Sequence, residues 1–205
     1  MAASSIIAFW AVAALFIVAP GADWAFTLSA TLRGNAVAPA VGGLVTGYAV
    51  MTAAVAAGVG ALVAGSPAAL TAITFTGGAY LVWLGIGTLR NPSSPVADIG
   101  APIRTNRDTY LEGIGVSGLN PKGLLILVAL LPQFTNPQSP WPLAAQMIVL
   151  GLTFTLTCAG FYALLGSFAR AVLLARPAAA RMVSRLSSIG MVTIGTLLVG
   201  DRVLR

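Results

Sequence analysis

Apolar side chains dominate six long stretches of this chain, and polar residues, glycine and proline cluster between them. Each stretch is close to the roughly 20 residues that a helix needs to cross a bilayer. The pattern therefore predicts an all-α integral membrane protein with six transmembrane helices. The predicted helices lie at about 5–28, 37–63, 69–89, 110–131, 143–168 and 186–204.

Helix breakers interrupt the first and the fourth of these predicted helices. Pro20 and Gly21 lie inside the first, and Pro121 follows Asn120 inside the fourth. Proline removes a backbone donor and clashes with the preceding turn. Unpaired backbone groups survive at membrane depth only when they are buried in protein or line a cavity. We therefore expect two broken helices whose breaks face the interior.

The six predicted helices divide into two halves of three, and each half opens with a broken helix. The first half covers about residues 1–90 and the second about 110–205, and the longest polar loop, about 90–109, joins them. The strings at 85–89 and 193–197 are related. Three spans in each half invert the second half relative to the first, and inverted repeats with paired broken helices are typical of secondary transporters. We expect one polytopic domain over residues 1–205.

Composition agrees with a membrane protein and excludes other classes. Of 205 residues, 58% are hydrophobic and 8% are charged, whereas about 25% are charged in soluble domains. The net charge of +6 does not indicate a nucleic-acid partner, because the basic residues are scattered over loops without aromatic interleaving. Cys158 is the single cysteine and histidine is absent, which excludes an intramolecular disulfide and a cysteine/histidine metal site. Neither a metal nor a cofactor is expected.

Arginines predict the orientation in the bilayer. The first, third and fifth predicted loops hold eight arginines, whereas the C-terminus holds Arg202 and Arg205. The eight are Arg33, Arg90, Arg104, Arg107, Arg170, Arg176, Arg181 and Arg185. Because cytoplasmic loops are enriched in Lys and Arg, we expect both termini outside.

Two ionisable side chains fall inside or at the edge of apolar stretches, Asp23 at the first break and Lys122 at the second. A charge near the bilayer centre costs about 2.5–3.5 kcal/mol on translocon scales, and a nearby opposite charge is the usual compensation. We interpret Asp23 as a site for a substrate ammonium or a proton, and Lys122 as a partner for a carboxylate or for Asp23. The alternative is that Asp23 caps a helix and Lys122 reaches the interface.

Four more polar side chains are candidates for the same pathway. Asn120 and Gln133 offer hydrogen bonds to a substrate or to freed backbone groups. Tyr48 and Tyr162 stand at corresponding places in the two halves and are candidates for a pocket. Simple packing around a satisfied hydroxyl group is the alternative for both tyrosines.

Glycines in the second predicted helix form the string Gly43-x-x-x-Gly47. Small residues four apart let two membrane helices approach closely. The contact could lie within one protomer or between two, so a homo-oligomer stays open.

These motifs resemble those of the LysE/RhtB family of amino-acid exporters, and the resemblance covers nearly the whole chain. The matching strings are Pro20-Gly21 with Asp23, Arg33-Gly34, residues 77–85, Asn120-Pro121-Lys122 and Leu131-Pro132-Gln133-Phe134. One departure is Ala22, which stands where the family has the second proline of a proline-glycine-proline string. The resemblance implies a six-helix protein of the bacterial inner membrane that exports amino acids or their derivatives, driven by the proton motive force.

Other function classes fit the residues less well. An intramembrane aspartyl protease needs two membrane aspartates and only Asp23 qualifies, and a serine protease that uses histidine is excluded. We therefore expect no enzymatic activity. A divalent metal-ion exporter of a related membrane family is the alternative, although one cysteine and one buried carboxylate make a tight site hard to build. The expected partners are a small amino acid or derivative, protons and membrane lipid.

Overall fold

Every element of the computed structural model is a helix within the residues that it describes. These are residues 2–32, 34, 36–65, 67–90, 104–175, 185, 189, 192–193, 196–197 and 199–200. The helices are α1 (Ala3–Val18), α2 (Ala22–Leu32), α3 (Val37–Gly65), α4 (Pro67–Arg90), α5 (Asn106–Gly118), α6 (Pro121–Leu130), a 3-10 helix (Leu131–Phe134) and α7 (Leu143–Ala175).

The first predicted break lies between α1 and α2, which are bent by 58° relative to each other. Ala19 ends α1 and donates its backbone N–H to the Phe16 carbonyl at 3.2 Å. Ala22 is the first residue of α2, a position where proline is common because its N–H would be unpaired in any case. The kink therefore forms without the second proline.

The second predicted break lies between α5 and α6, which meet at a bend of 50°. Asn120 caps α6, and its side-chain oxygen accepts the backbone N–H of Lys122 at 3.1 Å. Pro121 takes the first helical position, where its fixed φ favours the helix. Both predicted broken helices are therefore confirmed.

α5 begins at Asn106, four residues before the predicted start. Thr105 caps it, because the threonine hydroxyl accepts the Asp108 N–H at 3.1 Å and donates to the Asp108 carboxylate at 2.7 Å. The first of these bonds satisfies one of the free backbone donors of the first helical turn. The polar loop predicted at about 90–109 therefore ends before Asn106. Residues 91–103 of this loop lie outside the described part of the chain.

The described parts of the other predicted helices agree with the hydropathy pattern. α3, α4 and α7 match the second, third and fifth, and α7 runs to Ala175, so Arg170 lies inside a helix and not in a turn. α3 and α7 are long and apolar enough to cross a membrane, and each bent pair qualifies when its two helices are taken together. Most of the sixth predicted helix lies outside the described residues, and so do Arg176 and Arg181 of the predicted turn before it.

Glycines of α3 form its contact with α5. A Cβ on Gly43 would overlap the Tyr110 carbonyl oxygen and come within 2.9 Å of Gly113 Cα. A Cβ on Gly47 would overlap Ser117 Oγ. The Gly43-x-x-x-Gly47 string thus serves a helix contact within one protomer, where small residues let the backbones approach.

The molecule carries large apolar side chains on its outside as well as in its core. The exposed ones include Ile7, Trp10, Val50, Phe75, Trp83, Leu156, Leu164 and Phe168, and the fully buried ones include Phe9, Phe16, Leu44, Leu127, Leu130 and Leu150. An exposed apolar surface of this extent is typical of contact with lipid. Two of the molecule's buried polar residues, Asp23 and Asn120, lie at the two breaks.

Candidate functional site

Asp23 brings residues from four separate parts of the chain together. It lies in the first turn of α2 and is 5% exposed. Its Oδ2 accepts hydrogen bonds from the Tyr48 hydroxyl at 2.5 Å, the Asn120 amide at 3.1 Å and the Tyr162 hydroxyl at 3.2 Å. Asn120 Nδ2 also lies 3.3 Å from the Tyr48 hydroxyl. Four of the predicted site residues thus meet at one carboxylate oxygen.

The two oxygens of this carboxylate have different surroundings. Oδ2 has three donors, whereas Oδ1 is buried and has no hydrogen-bond partner among the described residues. A buried carboxylate oxygen without a donor is costly, because it has lost water and gained nothing in return. Oδ1 is therefore the atom of this cluster that is free to bind a ligand group.

Lys122 extends inward and joins the two breaks. Its Nζ donates to the carbonyl of Ala19, the residue that ends α1, at 2.9 Å. Carbonyls at a helix C-terminus lack partners within the helix and attract cations. No ion pair within 4.0 Å joins Lys122 to Asp23, so the lysine compensates the first break and leaves Oδ1 of Asp23 unpaired.

A small cavity separates the two charged side chains. Its volume is about 10 Å³, and Asp23, Lys122, Tyr48 and Tyr162 contribute to its wall. The other lining residues are Phe16, Ile17, Gly123, Ile126 and Phe154. Such a volume is about the space of one water molecule. The cavity therefore has room for about one water molecule and not for a larger ligand.

Gly123 is a site residue that the sequence analysis missed. It follows Lys122 in the first turn of α6, and a Cβ there would lie 2.5 Å from Tyr48 Cε1 and 2.9 Å from the Tyr48 hydroxyl oxygen. Glycine at this position lets the tyrosine reach Asp23. Gly21 is different, because a Cβ there would meet Lys122 Nζ at an ordinary 3.6 Å and its φ is not positive.

Of the predicted site residues, Gln133 lies apart from the Asp23 cluster. Gln133 donates to the Thr74 hydroxyl and takes no part in the Asp23 cluster. Gln146, which the sequence analysis did not single out, is fully buried and holds the turn before α7. It accepts the Asn136 N–H at 2.9 Å and donates to the carbonyls of Asn136 and Trp141.

Within the described residues, no three histidine, cysteine, aspartate or glutamate side chains form a metal-binding group.

Comparison with known families decides what kind of protein carries this site. The family model of the LysE type translocators matches residues 14–202, which include both breaks and the whole Asp23 cluster. The chain belongs to the LysE type translocator family. The resemblance predicted from the motifs is therefore confirmed, and the chain is a multi-pass membrane transporter.

Three relatives of this translocator show the range of similar proteins. The uncharacterized membrane protein YrhP of Bacillus subtilis (strain 168) is 29% identical over 74% of this chain and 77% of the relative. An uncharacterized membrane protein of Vibrio cholerae is 34% identical over 72% of each chain. A homoserine/homoserine lactone efflux protein of Salmonella typhi is 30% identical over 68% of each chain. No solved structure matches this translocator.

Proposed function

We propose that this translocator exports amino acids or amino-acid derivatives from the cytoplasm as a secondary transporter driven by the proton motive force. The observation that carries the proposal is the Asp23 carboxylate, buried at the junction of two broken helices with one oxygen bound and the other free. An intramembrane ionisable residue in such a position marks a substrate or proton pathway. Relatives named homoserine/homoserine lactone efflux proteins support the substrate class.

Competition between a proton and the substrate for one oxygen of Asp23 couples substrate export to proton entry. Oδ1 of Asp23 accepts either a proton or the ammonium group of a substrate, because both need the same lone pairs. A buried carboxylate is compensated by one positive charge, and a second one would leave an uncompensated charge in the interior. A proton that enters from outside therefore releases the substrate, and a substrate that enters from the cytoplasm releases the proton.

The proposed movement rests on two inverted three-helix repeats that rock around the breaks, with six transmembrane helices in one domain. Asp23 belongs to the first break and Lys122 to the second, so a relative motion of the halves would change the distance between these two side chains. Alternating access of this kind around a midplane site is common among transporters with broken helices. The arginine distribution supports termini outside the bacterial inner membrane.

Replacement of the carboxylate tests the proposal. In proteoliposomes with an imposed proton gradient, the wild-type protein should accumulate a labelled amino acid, and Asp23→Asn should insert normally and fail to accumulate it. Asp108→Asn is the matched control, because Asp108 is an exposed acid at the start of α5. Gradient-driven transport by Asp23→Asn at the wild-type rate would refute the role of Asp23.

A further inference from the structure

The wall of the cavity offers a substrate two charged groups and an otherwise apolar surface. Beside Asp23 and Lys122 it consists of two tyrosines and five uncharged residues. Both tyrosine hydroxyls donate to Asp23 Oδ2. Their aromatic rings, with Phe16, Ile126 and Phe154, therefore form a surface that offers no partner to a charged side chain.

The two charged groups suit the backbone of an amino acid. Oδ1 of Asp23 lacks a partner, and Lys122 Nζ carries three donors, of which one goes to the neutral Ala19 carbonyl. The ammonium of a zwitterion would compensate Asp23, and its carboxylate would compensate Lys122. Each buried charge would then have one partner, as membrane interiors require.

A third charge on the substrate would find no partner there. An ammonium or carboxylate on its side chain would be buried against Phe16, Ile126 or Phe154, and an unpaired buried charge is strongly unfavourable. The size of the cavity also favours small side chains, since these large residues line a volume of only about 10 Å³. Small uncharged side chains therefore fit with the least displacement.

We propose that this site selects α-amino compounds with a small, uncharged side chain, with the ammonium on Asp23 Oδ1, the carboxylate on Lys122 and the side chain against the apolar wall. This inference rests on the proposed function and names the substrates of the same site. An amine that lacks a free carboxylate, such as an ester, keeps the contact with Asp23 and loses only the contact with Lys122.

Exchange in proteoliposomes tests the selectivity. Liposomes loaded with unlabelled alanine, serine, lysine, glutamate or tryptophan are assayed for uptake of labelled alanine. We expect alanine and serine to drive exchange at least tenfold faster than the other three. Lysine or glutamate exchanging within twofold of alanine would overturn the selectivity while the exporter stands. Exchange with none of the five would overturn the proposed function and this inference together.

A variant of Lys122 tests the placement of the two backbone groups. Lys122→Met removes the ammonium and keeps an unbranched side chain. Its exchange of alanine should fall at least tenfold, while exchange of alanine methyl ester should stay within threefold of wild type. Loss of both activities in a protein that inserts and unfolds thermally like wild type would show that Lys122 serves only the helix break, and would overturn this part. Thermal stabilisation by alanine and by the ester reports binding independently of transport.

Discussion

Gly123→Ala is the substitution whose effect follows most directly from the geometry of the site. The new methyl group would lie 2.5 Å from Tyr48 Cε1 and 2.9 Å from its hydroxyl oxygen. Tyr48 is 2% exposed, and its ring also packs edge-on against Phe154 with centroids 5.0 Å apart. The ring must therefore shift away from α6, and its hydroxyl cannot keep a hydrogen bond of 2.5 Å to Asp23.

The size of the effect follows from the lost hydrogen bond. Hydrogen bonds to charged groups contribute about 1.5–3 kcal/mol, which corresponds to about 10- to 150-fold in an equilibrium constant. If Tyr48 holds the Asp23 carboxylate in its binding orientation, the transport rate should fall by a factor in this range. Tyr48→Phe removes the same hydroxyl without a steric clash and should give a similar loss.

The assay is alanine exchange in proteoliposomes, with the amount of inserted protein measured in parallel. Gly21→Ala is the matched control, since the same methyl group there would meet Lys122 Nζ at 3.6 Å, and it should retain at least half of the wild-type rate. If Gly123→Ala also exchanges alanine at half the wild-type rate or faster, Tyr48 does not position the carboxylate and the reasoning is wrong.

Three further substitutions have defined outcomes. Ala22→Pro should retain alanine exchange, because proline fits the first position of α2; a loss beyond tenfold would contradict the observed kink. Gly47→Val should destabilise the purified protein by about 1–3 kcal/mol through overpacking against Ser117, whereas Gly58→Val, in open space, should leave thermal unfolding unchanged. Lys122→Arg should abolish alanine export, because a planar guanidinium does not replace a compact ammonium; wild-type export would remove the requirement for an ammonium group.

The helix breaks were predictable because proline and a buried charge each carry a penalty that does not depend on the fold. Pro20 and Pro121 disturb a helix wherever it packs, and Asp23 and Lys122 are costly at any place in an apolar stretch. The sequence therefore located the two breaks and the buried Asp23 of the candidate site without knowledge of their contacts. α3 and α7 were predictable because a long apolar stretch indicates a membrane-spanning helix whatever its neighbours are.

The contacts between these residues depend on packing and were only partly predictable. Tyr48, Tyr162 and Gln133 were equal candidates, yet the two tyrosines reach Asp23 and Gln133 reaches Thr74. Nothing in a hydroxyl or an amide reveals which helix face will turn toward a residue 25, 59 or 139 positions away. Gly123 was hidden among 23 glycines, because the need for glycine comes from the neighbouring ring.

The partner of Lys122 was missed for a different reason. A sequence displays side chains, so an acid and a base in opposite halves suggest an ion pair. The first break also frees the backbone carbonyl of Ala19, and Lys122 donates to this carbonyl. A free backbone carbonyl cannot be recognised from the type of the residue that carries it.

The two charged side chains at the breaks differ in how they are compensated: Lys122 has a backbone partner, whereas Oδ1 of Asp23 has none among the described residues. This difference favours the exchange of a proton for a substrate at Asp23. A direct Asp23–Lys122 pair would compensate both charges without a ligand and would compete with substrate and proton alike. In the observed arrangement Lys122 stabilises α1 while Oδ1 of Asp23 stays unsatisfied. Under the proposed mechanism, the candidate site is therefore least stable when it is empty and most stable when one cation occupies the carboxylate. A transporter that returns across the membrane only with a bound proton or a bound substrate needs this property, because an empty carboxylate that crossed freely would dissipate the gradient.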